Sequence, residues 1–189
     1  MGMRTEPGVA GRDEADGAAA AGAPPRRGFG AGAAVALALG LAAVIIVSDQ
    51  VTKAAITARY GPCGNPFFHP VFGSYAGFSY VCNTGTAFSR FAGNSLVWIP
   101  VGLAAAAVCW LWLRSLAAPH LAQQLAFGLI LGGATGNLID RARLGYVVDF
   151  VDLRLTDTLR WYVFNVADAS VVIGVTLLAL AYWRSAGRE

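Results

Sequence analysis

Asp49, Asn83, Asn137, Asp140, Asp149, Asn165 and Asp168 are polar residues in an otherwise strongly apolar chain. Two carboxylates held close together do not both ionise easily. One keeps its proton while the other acts as a base, an arrangement that activates water for peptide hydrolysis. Other chemistries lack their parts. His69 and His120 are isolated and read as loop or helix-end residues, and no serine or cysteine has a partnering base at a recognisable spacing, as nucleophilic catalysis requires. Metal-ligand spacings of the usual kind are missing from the sequence, so neither a metal nor a cofactor is expected.

Each position also has an ordinary structural reading. Asp49 and Lys53 stand four apart, the spacing of a helical ion pair. Asn165 resembles a helix N-cap, and Asp168 three residues on would be favoured by the helix dipole. Asn137 and Arg141 suit a helix end meeting an interface, while Gly132, Gly133 and Gly136 suit close helix packing. Cys82-Asn83-Thr84-Gly85 reads as a turn whose Asn and Gly accept positive φ. Convergence is what these readings leave unexplained, because no capping rule requires distant segments to bring their carboxylates to one place.

The elements that would bring them there follow from composition. Of 189 residues, 56% are hydrophobic and 13% charged, and mean hydropathy is +0.55, a balance that calls for a membrane solvent. Apolar runs over about 29–47, 96–113, 121–139 and 167–183 approach the length of about 20 residues that crosses the hydrocarbon core. The expected fold is an all-α membrane bundle of four transmembrane helices, with a small β-region on the membrane surface at about 67–91 between helices 1 and 2. Residues 114–120 are short enough for a helical hairpin. Four spans put both termini on one side and gather Asp49, Asn137, Asp140, Asp149, Asn165 and Asp168 at the opposite face.

Residues 1–28, rich in Gly, Ala, Pro and charge, read as a disordered tail, and 186–189 as a short end. Basic residues are tallied evenly on the two sides, and only the Arg26-Arg27 pair leans towards a cytoplasmic N-terminus. The net charge is +3 and the pI about 9.0, yet the basic residues are scattered singly, without the patch that nucleic acid would need. Of the three cysteines, Cys109 reads as a small hydrophobe. A Cys63–Cys82 bridge is open to the sequence but not favoured by it.

Five ordered blocks then carry a resemblance: Ser48-Asp49-Gln50-Val51-Thr52-Lys53, Asn83-Thr84-Gly85-Thr86-Ala87-Phe88-Ser89, residues 132–141 through Gly136-Asn137 to Asp140-Arg141, Gly145-Tyr146-Val147-Val148-Asp149-Phe150, and Phe164-Asn165-Val166-Ala167-Asp168. Together they resemble lipoprotein signal peptidase, or signal peptidase II, a bacterial family of integral-membrane aspartyl proteases. The resemblance implies removal of the signal peptide from diacylglyceryl-modified prolipoproteins, by cleavage before the lipidated cysteine. It implies a multi-pass protein of the cell membrane with both termini cytoplasmic, an active site at the extracytoplasmic face among membrane lipids, and sensitivity to globomycin-type inhibitors. By it Asp149 and Asp168 match the catalytic pair, and Asp49, Lys53, Asn83, Gly85, Asn137, Asp140, Arg141 and Asn165 match residues that bind substrate or support the site. Which aspartate is base and which acid stays open. The chain departs from the family pattern in its longer tail and in Cys82, which stands where a polar or basic residue is common. The rival reading is a small proton-coupled transporter or channel subunit, in which intramembrane carboxylates relay protons; the sequence shows no inverted repeat to support it.

Overall fold

A computed structural model of the chain describes residue 2 and residues 31–61, 68–85, 98–115, 120–156 and 159–186. Most of the expected tail and the last three residues lie outside this set, as do residues 67 and 86–91 of the expected β-region. The described residues form helices α1 (Ala31–Tyr60), α2 (Trp98–Ser115), α3 (Leu121–Leu144) and α4 (Val166–Ala186), with strands β1 (His69–Phe72), β2 (Ala76–Asn83) and β3 (Val147–Leu153).

Helix α3 runs between α1 and α4, and its glycines set how closely they approach. A Cβ on Gly132 would press on Ala42 and Ile45 of α1, and one on Gly133 would run into the Ala167 carbonyl oxygen of α4. Small residues at such points let helix backbones meet, and packing and polar contacts then hold the bundle. Ala38, Cys109 and Phe127 form a buried cluster within it. The outward faces are apolar too: Val47, Val51, Val108, Leu111 and Val172 are each more than 60% exposed. Leaving such side chains in water forfeits about 1.5–3 kcal/mol apiece, so the bundle is built for lipid.

Among the described residues, two helices have the length and composition to cross a bilayer, α1 over Gly32–Tyr60 and α4 over Val166–Arg184; the apolar stretch of α2 is shorter, Gly102–Trp112. Helix 1 is also longer than its apolar run suggests, because the polar sequence after Val47 continues the same helix to Tyr60. That extension carries Asp49, Gln50, Lys53 and Ile56 to the edge of the bundle.

The sheet extends beyond the small β-region expected between helices 1 and 2. β1 and β2 form an antiparallel hairpin inside the expected β-region, but β3 comes from the connection between α3 and α4 and pairs antiparallel with β2, giving the order β1-β2-β3. The sequence hides this strand because both its faces are covered: Val147, Val148, Asp149 and Phe150 are all buried, so no apolar-polar alternation appears. Gly145 in the left-handed region (φ +77°) ends α3, its N–H bonding the Arg141 carbonyl, and turns the chain into β3. Ile56, Tyr80, Val148 and Phe150 then form a second core between the sheet and the end of α1.

The cysteine expectation also needs correcting. Cys82 is disulfide-bonded and Cys109 is buried and free, while Cys63 lies outside the described residues. Spacing alone does not reveal that β1, antiparallel to β2 with His69 opposite Phe78, begins towards the Cys82 end of the hairpin.

Candidate active site

Asp149 sits mid-strand on β3, opposite Val81 of β2, and Asp168 sits in the first turn of α4. A short segment brings them together: Phe164 pairs with Val151 along the free edge of β3, and Asn165 then opens α4. Asn165 is fully buried and acts in two directions. Its Oδ1 accepts the Asp168 backbone N–H at 2.8 Å while its own N–H reaches Asp168 Oδ2 at 3.3 Å, a reciprocal helix cap. Its Nδ2 donates to Asp149 Oδ1 at 2.7 Å. Capping and convergence are therefore the same residue at work.

The remaining polar residues close around this pair. Asn83, at the end of β2, donates to Asp149 Oδ2 at 3.0 Å, and its own Oδ1 accepts the Gly85 N–H at 2.9 Å in the expected turn. Arg141 ties that turn to α3 through the Gly85 carbonyl at 3.2 Å. Asn137 donates to Asp168 Oδ1 at 2.8 Å. Asp49, Lys53 and Asp140 join as a buried ion network in which Lys53 lies 2.8 Å from each carboxylate. All ten residues singled out from the sequence thus belong to one continuous set of contacts. The sequence missed Gln50, whose Nε2 donates to Asp140 Oδ1 at 2.9 Å and to the Gly136 carbonyl at 3.2 Å; a polar residue continuing an apolar helix was the available signal.

Environment separates the two carboxylates of β3. Asp149 is lifted from the ordinary carboxylate value to about 7 by burial first and by the charge of Asp168 second, against the hydrogen bonds of Asn83 and Asn165 and the charge of Lys53. Asp152, three residues on, is pushed up by burial, but hydrogen bonds from Arg154 and Ser79 outweigh this and hold it below the usual range. Its Oδ2 is 2.7 Å from Ser79 and 3.0 Å from Arg154. Asp149 can therefore exchange a proton near neutrality, as a general acid or base must, whereas Asp152 is the ion-pair partner of Arg154.

An apolar helical bundle with a network of carboxylates and amides joined to a small sheet has the makings of a membrane-embedded enzyme, and the comparisons agree. Residues 41–184 match the signal peptidase (SPase) II family. The lipoprotein signal peptidase of Moorella thermoacetica is 38% identical over 79% of this chain and 94% of its own, and that of Trichormus variabilis is 40% identical over 74% and 85%. A solved bacterial membrane enzyme superposes with a TM-score of 0.71 at 28% identity, covering 80% of this chain and 90% of that one. The chain belongs to the signal peptidase II family.

Proposed function

We propose that this protein removes the signal peptide from diacylglyceryl-modified prolipoproteins, cutting before the lipidated cysteine, and that Asp149 and Asp168 are its catalytic residues. The observation that carries the chemistry is the Asn165 bridge between the buried carboxylate of Asp149, poised near pH 7, and the half-buried carboxylate of Asp168. In the active form one carboxylate is ionised and takes a proton from the attacking water. The other is protonated and hydrogen-bonds the scissile carbonyl oxygen as negative charge develops there. The proton gained by the base then passes to the leaving amide nitrogen as the C–N bond breaks and the carbonyl re-forms, which restores the pair to its starting state.

The supporting residues hold that geometry. Asn83, Asn137 and Asn165 fix the carboxylate planes with 2.7–3.0 Å hydrogen bonds, and Arg141, anchored to the Gly85 carbonyl, offers further guanidinium donors beside the pair. The lipidated substrate meets the site from the bilayer, which suits a carboxylate cluster at the end of a lipid-facing bundle. All four helices cross the membrane, both termini are cytoplasmic, and the sheet and active site face the outer side. The proton-coupled transporter reading draws no support from the family, whose relatives carry the name lipoprotein signal peptidase.

The test is purified protein in detergent, given a synthetic prolipoprotein segment with or without the diacylglyceryl group. The lipidated form is cut with no ion gradient, cleavage survives chelators and serine-protease reagents, and globomycin blocks it. Equal cleavage of the unlipidated segment contradicts the substrate assignment.

A further inference from the structure

The Lys53 side chain is only 4% exposed. Its ammonium has three protons and meets three acceptors: Asp49 Oδ2 at 2.8 Å, Asp140 Oδ2 at 2.8 Å and Asn137 Oδ1 at 3.0 Å. Each acceptor passes the connection on. Asp49 uses its other oxygen to accept the backbone N–H of Ala167 at 3.0 Å, the residue next to Asp168. Asp140 Oδ2 accepts the backbone N–H of Val148 at 3.1 Å, the residue next to Asp149. Asn137 donates through Nδ2 to Asp168 itself at 2.8 Å.

One cation on α1 is therefore linked through α3 to the strand that carries one carboxylate, and directly and through α3 to the helix that carries the other. An ordinary helical ion pair would join Lys53 to Asp49 at the surface and end there. Here the pair is buried and shared with a second helix, and its far ends are backbone amides that flank the two aspartates. Buried ion networks add little to stability compared with an apolar core, and in some proteins their role is to fix one arrangement among several.

We propose that Lys53 is the positioning residue of this site: its ammonium locks β3 and the start of α4 in register, so that Asp149 and Asp168 stand at the separation the reaction needs. This rests on the peptidase reading above. The titratable and charged groups that face one another here are Asp49 and Lys53 of α1, Asp140 and Arg141 of α3, Asp149 of β3 and Asp168 of α4, with the phenols of Tyr80 in β2 and of Tyr146 just before β3 at the margin. Lys53 is the cation that opposes the rise in Asp149. Removing it therefore changes both geometry and titration, and the second change is one that loss of folded protein cannot imitate.

The experiment measures kcat and KM for the lipidated segment across pH in detergent for wild type, Lys53→Met, Lys53→Arg and Asp140→Asn. Lys53→Met lowers kcat about 100-fold, the scale of a misplacement near 1 Å, leaves KM nearly unchanged, and moves the pH profile upward. Asp140→Asn removes a negative charge and moves it downward. Lys53→Arg keeps the charge and the wild-type profile but recovers only part of kcat, because a planar fork does not reproduce a three-way point contact. If Lys53→Met, Lys53→Arg and Asp140→Asn all lose amplitude at an unmoved profile, in proportion to folded protein, Lys53 is merely structural and the proposal fails. If the wild type cuts nothing, the peptidase reading falls and takes this one with it. Wild-type cleavage with a normal Lys53→Met enzyme overturns the positioning role alone.

Discussion

Replacing Asp149 by Asn removes a titrating proton while keeping the side chain's size, so its effect on stability isolates what burying that carboxylate costs the fold. The group moves from 3.8 in its unperturbed state to about 7 in the folded protein. A folded value raised above the unfolded one means that the folded state holds its proton more tightly. Stability therefore falls as pH rises from about 4 to about 7, where the unfolded chain has released the proton and the folded one has not, and levels off above that. A shift of about 3 units at 1.36 kcal/mol each costs about 4 kcal/mol at alkaline pH; at pH 5 only the first unit or so has been lost. The variant escapes this, so between pH 5 and pH 8 its stability relative to wild type improves by about 2.5 kcal/mol. Its absolute position is offset by roughly 1–3 kcal/mol for the disturbed bonds from Asn83 and Asn165, a term that does not depend on pH in this range. Thermal unfolding in detergent at matched ionic strength reads the difference as a relative gain of about 5–10 °C. A gap between variant and wild type that stays constant from pH 5 to pH 8 refutes the reasoning, because Asp149 would then titrate as an ordinary carboxylate.

Gly133→Ala forces a methyl against the Ala167 carbonyl and is expected to cost about 1–3 kcal/mol and to impair cleavage, since Ala167 precedes Asp168; Gly40→Ala, where an added methyl meets nothing within 4 Å, serves as the neutral control in the same melting and activity assays. Cysteine introduced at Ser74 in the β-turn is expected to react with an impermeant thiol probe from outside the cell and one at Ser115 only from the cytoplasm; the reverse pattern inverts the topology. Deleting residues 1–25, which keeps Arg26 and Arg27, is expected to leave cleavage by the purified protein unchanged, and loss of activity in a truncated protein that still inserts contradicts the tail reading.

The site was more legible in the sequence than the sheet that holds it. A carboxylate or amide in an apolar chain is conspicuous because it is expensive there, so Asp49, Asn137, Asp140, Asp149, Asn165 and Asp168 stood out one by one, and the ordered blocks around them carried the family. What the residues could not reveal was contact between distant segments. Asp49 and Lys53 have the spacing of a surface ion pair, and only the fold brings Asp140 to the same ammonium. β3 stayed hidden because burial on both faces erases the period-2 signal, and with it went the reason Asp149 and Asp152 differ: one lies beside Asn83 and Asn165, the other beside Ser79 and Arg154. Helix α1 ran past its apolar segment because hydropathy reports the solvent of a helix and not its end.

The central claim is that two carboxylates, and both of them, perform the hydrolysis. The direct measurement is single-turnover cleavage of the lipidated prolipoprotein segment by wild type, Asp149→Asn and Asp168→Asn, alongside equilibrium binding of the same segment to each. The expected result is cleavage by wild type alone, with each variant folded and still binding the segment, because Asn preserves shape but cannot share the proton. Near-normal cleavage by either variant contradicts the account, and would direct attention to Asp140 as the carboxylate next in reach.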